Sequence, residues 1–323
     1  MSAGPRLAPP AADAAVVLVL ATLPLWLPLL GGYTALGTRV LVMGLAAMAL
    51  NVLLGYTGVL SFGHAAFFGL AAYGTGLTLR YGVPSTPLAV LAGVALGTAA
   101  AAVVGALISR LRGVYYAMVT IAFGQVFYFI AFRWNSLTGG DDGLTGWQRQ
   151  PLAIGPWRID IAGSDTAFYY FVFALCALAV VAMAWLLRSP FGRSLVAIRE
   201  NERRARFLGI AVEWHIWLSF VVSCAFVSLA GSLYALLNDF ADPHGLHWEQ
   251  SGDFVIMTVL GGMRSFWGPL VGAAVFVVLE DFVSSHTQNW MTVIGLVFVV
   301  VVRFFPRGLL GLIDFGRRGR GPA

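Results

Sequence analysis

The chain has no lysine: all twenty of its basic residues are arginine. A phosphate-cradling loop needs a lysine to reach the outer phosphates, and a Schiff-base enzyme needs a lysine amine, so neither chemistry is available here. Charge of any kind is scarce, at 11% of residues against about 25% in soluble domains. The two cysteines, Cys176 and Cys224, both lie inside apolar runs, where a thiol serves as a small hydrophobe and not as part of a disulfide framework or metal site. No carboxylate lies near the middle of an apolar run, since Glu280 and Asp281 fall toward the end of theirs. Proton-coupled carriers usually keep such an acid, so its absence counts against a self-sufficient proton symporter.

What is present is apolar: 59% of the 323 residues are hydrophobic and the mean hydropathy is +0.82. With about 20 apolar residues per crossing, this composition describes an all-α, polytopic membrane protein of roughly eight to ten transmembrane helices, forming one domain over residues 1–323. Apolar runs occupy 14–30, 39–54, 64–79, 86–109, 114–132, 167–187 and 215–237, followed by 254–262, 269–283 and about 290–305. The first run is read as an uncleaved span. Cytoplasmic loops collect positive charge. The segment with Arg188, Arg193, Arg199, Arg203, Arg204 and Arg206, and the tail with Arg303, Arg307, Arg317, Arg318 and Arg320, therefore place both termini in the cytoplasm. That threading also puts Arg6, Arg110, Arg112 and Arg264 toward the inner side, leaving Arg39, Arg80, Arg133, Arg149 and Arg158 outside. It further requires the unit 254–283 to enter and leave from the outer face. Two external loops, 133–166 and 238–253, read as solvated connectors long enough to receive a soluble partner.

Four features carry functional information. GYTGVLSFGHAAFFG at 55–69 interrupts a helical pattern with glycines, and irregular backbone at membrane depth is tolerated only where it is buried in protein or lines an aqueous path. Asn51, Tyr56, Thr57, Ser61 and His64 are its polar groups; a plain surface loop fits the same pattern equally well. A second break, LGGMRSFWGPLVGA at 260–273, echoes the first through Ser265-Phe266-Trp267-Gly268, and Gly268 joins the candidate path residues. Arg264 within it needs the surface or a polar cavity. Gly93, Gly97, Ala101 and Gly105 recur every four residues, a stripe that lets helices approach closely. In the next span Thr120 and Gln125 either line a path or bond between helices. Finally, residues 189–210 read as one amphipathic helix, with Leu195, Ile198, Ala205 and Leu208 as its apolar stripe and Gly209 as its C-terminal cap. Glu200–Arg204 and Glu202–Arg206 are its i,i+4 pairs. Asp242, His244, His247 and Glu249 make only a weak metal-type cluster, and no metal site is expected.

Taken together, GYTGVLSFGHAAFFGLAAY, GRSLVAIRENERRARFLGI, LAGSLYA and VLGGMRSFWGPLVGA resemble the LivM family of bacterial ABC-importer permeases over about residues 39–312. The resemblance implies a subunit of the inner membrane that pairs with a LivH-type permease, two cytoplasmic ATPases and a periplasmic binding protein, most often for branched-chain amino acids. ATP and magnesium would sit on the partner ATPases, with no cofactor and no catalytic residue on this chain. Glu202, Ala205, Gly209 and Ile210 match the family's E-x-x-A-x-x-x-G-I element, so residues 194–209, with Arg199 and Glu200, are the expected ATPase-coupling helix. Arg264 stands where the family's GG-x-G element has a small residue. The alternatives are a permease of the same architecture for urea or short amides, and a stand-alone secondary transporter or channel.

Overall fold

A computed structural model describes residues 10–27, 29, 31–82, 85–154, 157–263, 265–305 and 308–310. Arg6, Arg264, Arg307, Arg317, Arg318 and Arg320 lie outside the described residues. The described chain holds thirteen α-helices: α1 (Pro10–Trp26), α2 (Thr34–Asn51), α3 (His64–Tyr81), α4 (Thr86–Ile108), α5 (Val114–Arg133), α6 (Asn135–Thr138), α7 (Asp165–Arg188), α8 (Pro190–Glu200), α9 (Glu202–Phe207), α10 (Val212–Asn238), α11 (Trp248–Gly261), α12 (Gly268–Ser284) and α13 (Trp290–Phe304). This is the all-α, multi-pass membrane architecture read from composition. Its small exception is a hairpin of β1 (Leu152–Ile154) and β2 (Trp157–Ile159), paired antiparallel with Leu152 opposite Ile159, inside the long connection between α5 and α7.

α2 is apolar around its whole circumference and is accordingly buried on all sides, with fifteen of its eighteen residues covered. α7, α10, α11 and α12 surround it. α3, α4 and α10 form a second, tightly packed group, and small residues make the contact possible. Gly93, Gly97, Ala101 and Gly105 all point into this interface. A side chain at Gly93 would strike Thr75, the Ala71 carbonyl and Ser232; one at Gly97 would strike Ser228. Phe220 of α10 fills the space beside them, edge-on to His64, Phe67 and Tyr116.

Polar contacts divide the helix ends between two faces. On one, Arg112 between α4 and α5 pairs with Glu202 and Glu213, which groups residues 109–113 with α9 and the start of α10. On the other, Arg39 pairs with Glu280 at 2.8 Å and the Tyr33 hydroxyl donates to Asp281, joining the start of α2 to the end of α12. α11 and α12 form a hairpin whose tip brings the Met263 and Ser265 carbonyls beside Gly55 and Asn51, while α12 returns to the Arg39 face. α11 has only 14 residues, about 21 Å at 1.5 Å per residue, too short for a hydrocarbon core of about 30 Å. Its backbone packs directly on α12, where Gly261 meets the Gly268 carbonyl and Gly272 meets that of Met257.

The connections on the Arg39 face are packed rather than merely solvated, contrary to their composition. Leu144, Trp147, Ile161 and Leu246 are buried, and Leu144 bridges Ala241 so that the two long connections form one layer. The turn-rich sequence between these apolar anchors hides them. Pro243–Leu246 is a 3₁₀ turn inserted against α3, with Leu246 seated on Gly69.

Candidate functional site: two helix breaks and a bracket

α2 passes without interruption into a six-residue π-helical turn, Val52–Thr57. The wider register is visible in the Thr57 hydroxyl, which donates to the carbonyl of Val52 five residues back at 3.1 Å. Gly58 ends the turn at φ +79°, a conformation that β-carbon sterics deny most residues. The Gly58 and Val59 amides still donate to the Leu53 carbonyl, and residues 60–63 then lead without helical hydrogen bonds up to His64, where α3 begins. His64 reaches Ser223, eleven residues into α10 and so about 16 Å along that helix. α3 therefore starts in the middle of the bundle.

Buried irregular backbone requires partners, and side chains of other helices and of the segment itself supply them. Phe62 N donates to Thr120 Oγ1 at 3.2 Å, Gly63 N to Ser61 Oγ at 3.3 Å, and Ala65 N to Ser251 Oγ at 2.8 Å. The His64 ring is fully buried between Ser61 Oγ at 3.0 Å from Nδ1 and Ser223 Oγ at 2.9 Å from Nε2. Ser223 spends its own proton on the Ala49 carbonyl at 2.6 Å, so it accepts from His64, and Nε2 carries the hydrogen. Nδ1 is then the acceptor for Ser61. A neutral imidazole satisfies every member of this chain.

The second break meets the first. Asn51 Nδ2 donates to the Ser265 carbonyl at 3.3 Å, and a β-carbon on Gly55 would lie 2.6 Å from the Met263 carbonyl. The structure thus sets Asn51 against the tip that precedes Gly268 and gathers Ser61, His64 and Thr120 around the first break, with Tyr56 in the π-helical turn between them. All five are buried, and Asn51 Oδ1 and the Tyr56 hydroxyl have no hydrogen-bond partner among the described residues. Gln125 is separate. It is half-buried on α5, its Nε2 likewise without a partner.

The amphipathic segment is two helices, not one. Asn201 is extended at φ −160° and its side chain accepts from Arg204 N, capping α9 and breaking the predicted continuous helix. Leu195, Ile198 and Ala205 are buried as the stripe requires, but Leu208 is 73% exposed and Phe207 90%. The 189–210 stripe therefore ends at Ala205. The offset also separates Glu200 from Arg204, and no ion pair joins them among the described residues. Glu202 does pair with Arg206 at 2.9 Å and takes Arg112 Nε on both oxygens at 3.0 Å. Partial burial pushes its carboxyl upward, but the hydrogen bonds from Arg206 and Arg112 outweigh this and hold it below the usual range. Arg206 also reaches Glu213. Glu202 thus ties α9 to the α4–α5 connection, with Glu200 exposed beside it. Gly209, at φ +82°, ends α9. Arg199, in the last turn of α8, donates to the carbonyl of Gly55. Phe207 was missed from sequence; the cue that exposes it is Asn201 ahead of Glu202-Arg203-Arg204, a helix-start signature.

A multi-pass α-helical bundle organised around two internal helix breaks, with a short charged bracket on one face, is the build of a membrane permease. The family described as branched-chain amino acid transport system / permease component matches residues 33–302, and the chain belongs to it. It is similar to the high-affinity branched-chain amino acid transport system permease protein LivM of Salmonella typhimurium, 28% identical over 86% of this chain and 70% of the relative. LivH of the same organism is 25% identical over 83% of this chain and 90% of the relative. A probable LivM of Methanocaldococcus jannaschii is 21% identical over 82% and 89%. No solved structure matches.

Proposed function

We propose that this chain is the LivM-type transmembrane subunit of an ATP-driven importer of branched-chain amino acids, working by alternating access. It pairs with a LivH-type permease, two cytoplasmic ATPases that hold the ATP and magnesium, and a periplasmic binding protein. The setting is the bacterial inner membrane, with both termini and the bracket of α8 and α9 cytoplasmic and the Leu144–Ala241 layer facing the binding protein. The observation that carries this reading is the bracket: α9 is braced through Glu202 and Arg206 yet presents Phe207 and Leu208 to solvent. A fixed frame that leaves two large apolar side chains uncovered suits a helix that docks into a groove on a partner. The broken helices border the substrate path.

The test is uptake of labelled leucine and urea into membrane vesicles holding this chain with its partner permease and ATPases, the binding protein being supplied. Leucine uptake that stops without ATP is expected. Uptake of urea alone replaces the substrate, and ATP-independent flux refutes the coupling.

A further inference from the structure

The bracket touches the rest of the bundle at one unusual place. Arg199 runs from the end of α8 to the π-helical turn, where its guanidinium donates to the Gly55 carbonyl and its stem lies over Gly58. A β-carbon on Gly58 would stand 2.8 Å from Arg199 Cγ. The carbonyls at the end of the turn have no helical amide ahead of them, because the chain leaves the helix at Gly58, and a basic side chain is a suitable cap for such a group. π-Helical turns are rare and recur at functional sites.

The turn also touches both breaks. On one side Gly55 is closed off by the Met263 carbonyl and Asn51 holds Ser265, so the second break rests on the turn. On the other the chain leads from Gly58 through Ser61 to His64 and on to Ser223 and Ala49. Both irregular segments therefore share one support, and the bracket reaches it through a hydrogen bond.

We propose that Arg199 is the positioning residue through which movement of α8 is delivered to the π-helical turn, so that one displacement shifts both helix breaks together. This deepens the proposed function and rests on its ATPase partners. Docking and transmission are then separate tasks: Phe207 and Leu208 dock, and Arg199 transmits.

The experiment uses the complete transporter with its binding protein, reconstituted in vesicles, carrying Arg199→Ala, Arg199→Lys or Gly58→Ala. Three quantities are read: ATPase co-purification, ATP hydrolysis, and substrate imported per ATP hydrolysed. Arg199→Ala is expected to keep the ATPases bound and hydrolysing while import per ATP falls about tenfold, within the 5–150-fold range typical of coupling between sites. Gly58→Ala, which disturbs the same contact from the other side, is expected to do likewise. Arg199→Lys is expected to recover part of the loss, since an ammonium offers the carbonyl one N–H. Unchanged import per ATP in Arg199→Ala overturns the proposal, and so does loss of the ATPases from that variant, which would make Arg199 part of the dock. A wild-type transporter without ATP-driven uptake would instead overturn the function on which the proposal rests.

Discussion

Gly97→Ala is the smallest change that tests how the bundle is held together. The added carbon would lie 2.9 Å from Ser228 Cβ and 3.0 Å from the Phe67 carbonyl oxygen, with Ser228 Oγ closer still. The serine hydroxyl can rotate away, but the Phe67 carbonyl belongs to the α3 backbone. Comfortable contact begins near 3.5 Å, so α4 has to withdraw by about half an ångström from α3, α10 or both. A gap of that size forfeits about a quarter of the dispersion energy of the atoms that face it. For on the order of forty atom pairs at ~0.15 kcal/mol each, the loss is about 1.5 kcal/mol, inside the 1–3 kcal/mol expected of overpacking. Lipid offers no hydrophobic drive to hold the helices together, so the close approach itself is the stabilising interaction. The assay is thermal unfolding of the detergent-purified protein. The comparison is Gly295→Ala on exposed α13, where an added carbon meets nothing within 4 Å. The Gly295 variant should melt at or slightly above wild type, by the ~0.5–1 kcal/mol that alanine gains over glycine inside a helix, and the Gly97 variant several degrees below the Gly295 variant. Equal midpoints would refute the argument that the stripe is close-packed.

Ser223→Ala removes the acceptor of the buried His64 Nε2 hydrogen, while the Ala49 carbonyl keeps the Val52 amide, and one buried donor without a partner costs about 1–3 kcal/mol; a loss of thermal stability under about 0.5 kcal/mol would show that the chain is not structural. The Glu202 network fixes a pH dependence. Its folded-state carboxyl is held below the ordinary value of about 4.3, so its contribution is complete above that pH and is lost as pH falls through the depressed folded value. The difference in melting temperature between wild type and Glu202→Gln should therefore be constant from neutrality to about pH 5 and shrink below it. A difference that stays constant to pH 3 would mean the pairs contribute nothing. Phe207→Asp should insert and melt like wild type, since the side chain is 90% exposed, yet fail to co-purify the ATPases; full co-purification would remove Phe207 from the dock.

The fold was legible where a signal is carried by a single element. Apolar length marks a span, so α3, α4, α5, α7, α12 and α13 begin and end within two residues of an apolar run, while α2 and α10 start five and three residues ahead of theirs, and four-residue spacing of glycine and alanine marked the contact face of α4. Legibility ended where a decision is made by residues far apart in the chain. The Gly55–Gly63 segment has the same composition whether it turns at a membrane surface or climbs through the bundle. What decides is Thr120, Ser223 and Ser251, which supply hydrogen bonds from three other helices. Likewise nothing local in the turn-rich loops announces that Leu144 would bridge Ala241, or that Leu246 would find its seat on Gly69.

One of these distant decisions did leave a trace. Ser219, Ser223, Ser228 and Ser232 recur every four or five residues along apolar α10, and all four are buried. Read for packing, this is a small-residue stripe like that of α4, and it does admit Gly93 and Gly97 to close approach. Serine differs from glycine in carrying a donor that can serve a carbonyl on a neighbouring helix, as Ser223 does for Ala49 and Ser228 for Phe67 at 3.4 Å. Only Ser223 of the four bears on the break, through the His64 ring, whereas Ser228 serves Phe67 inside α3 and Ser219 bonds back to Ile216 of its own helix. The stripe therefore marks the face of α10 that lies against α3 and α4, and one serine on that face reaches the first residue after the break, where irregular backbone must be buried in protein.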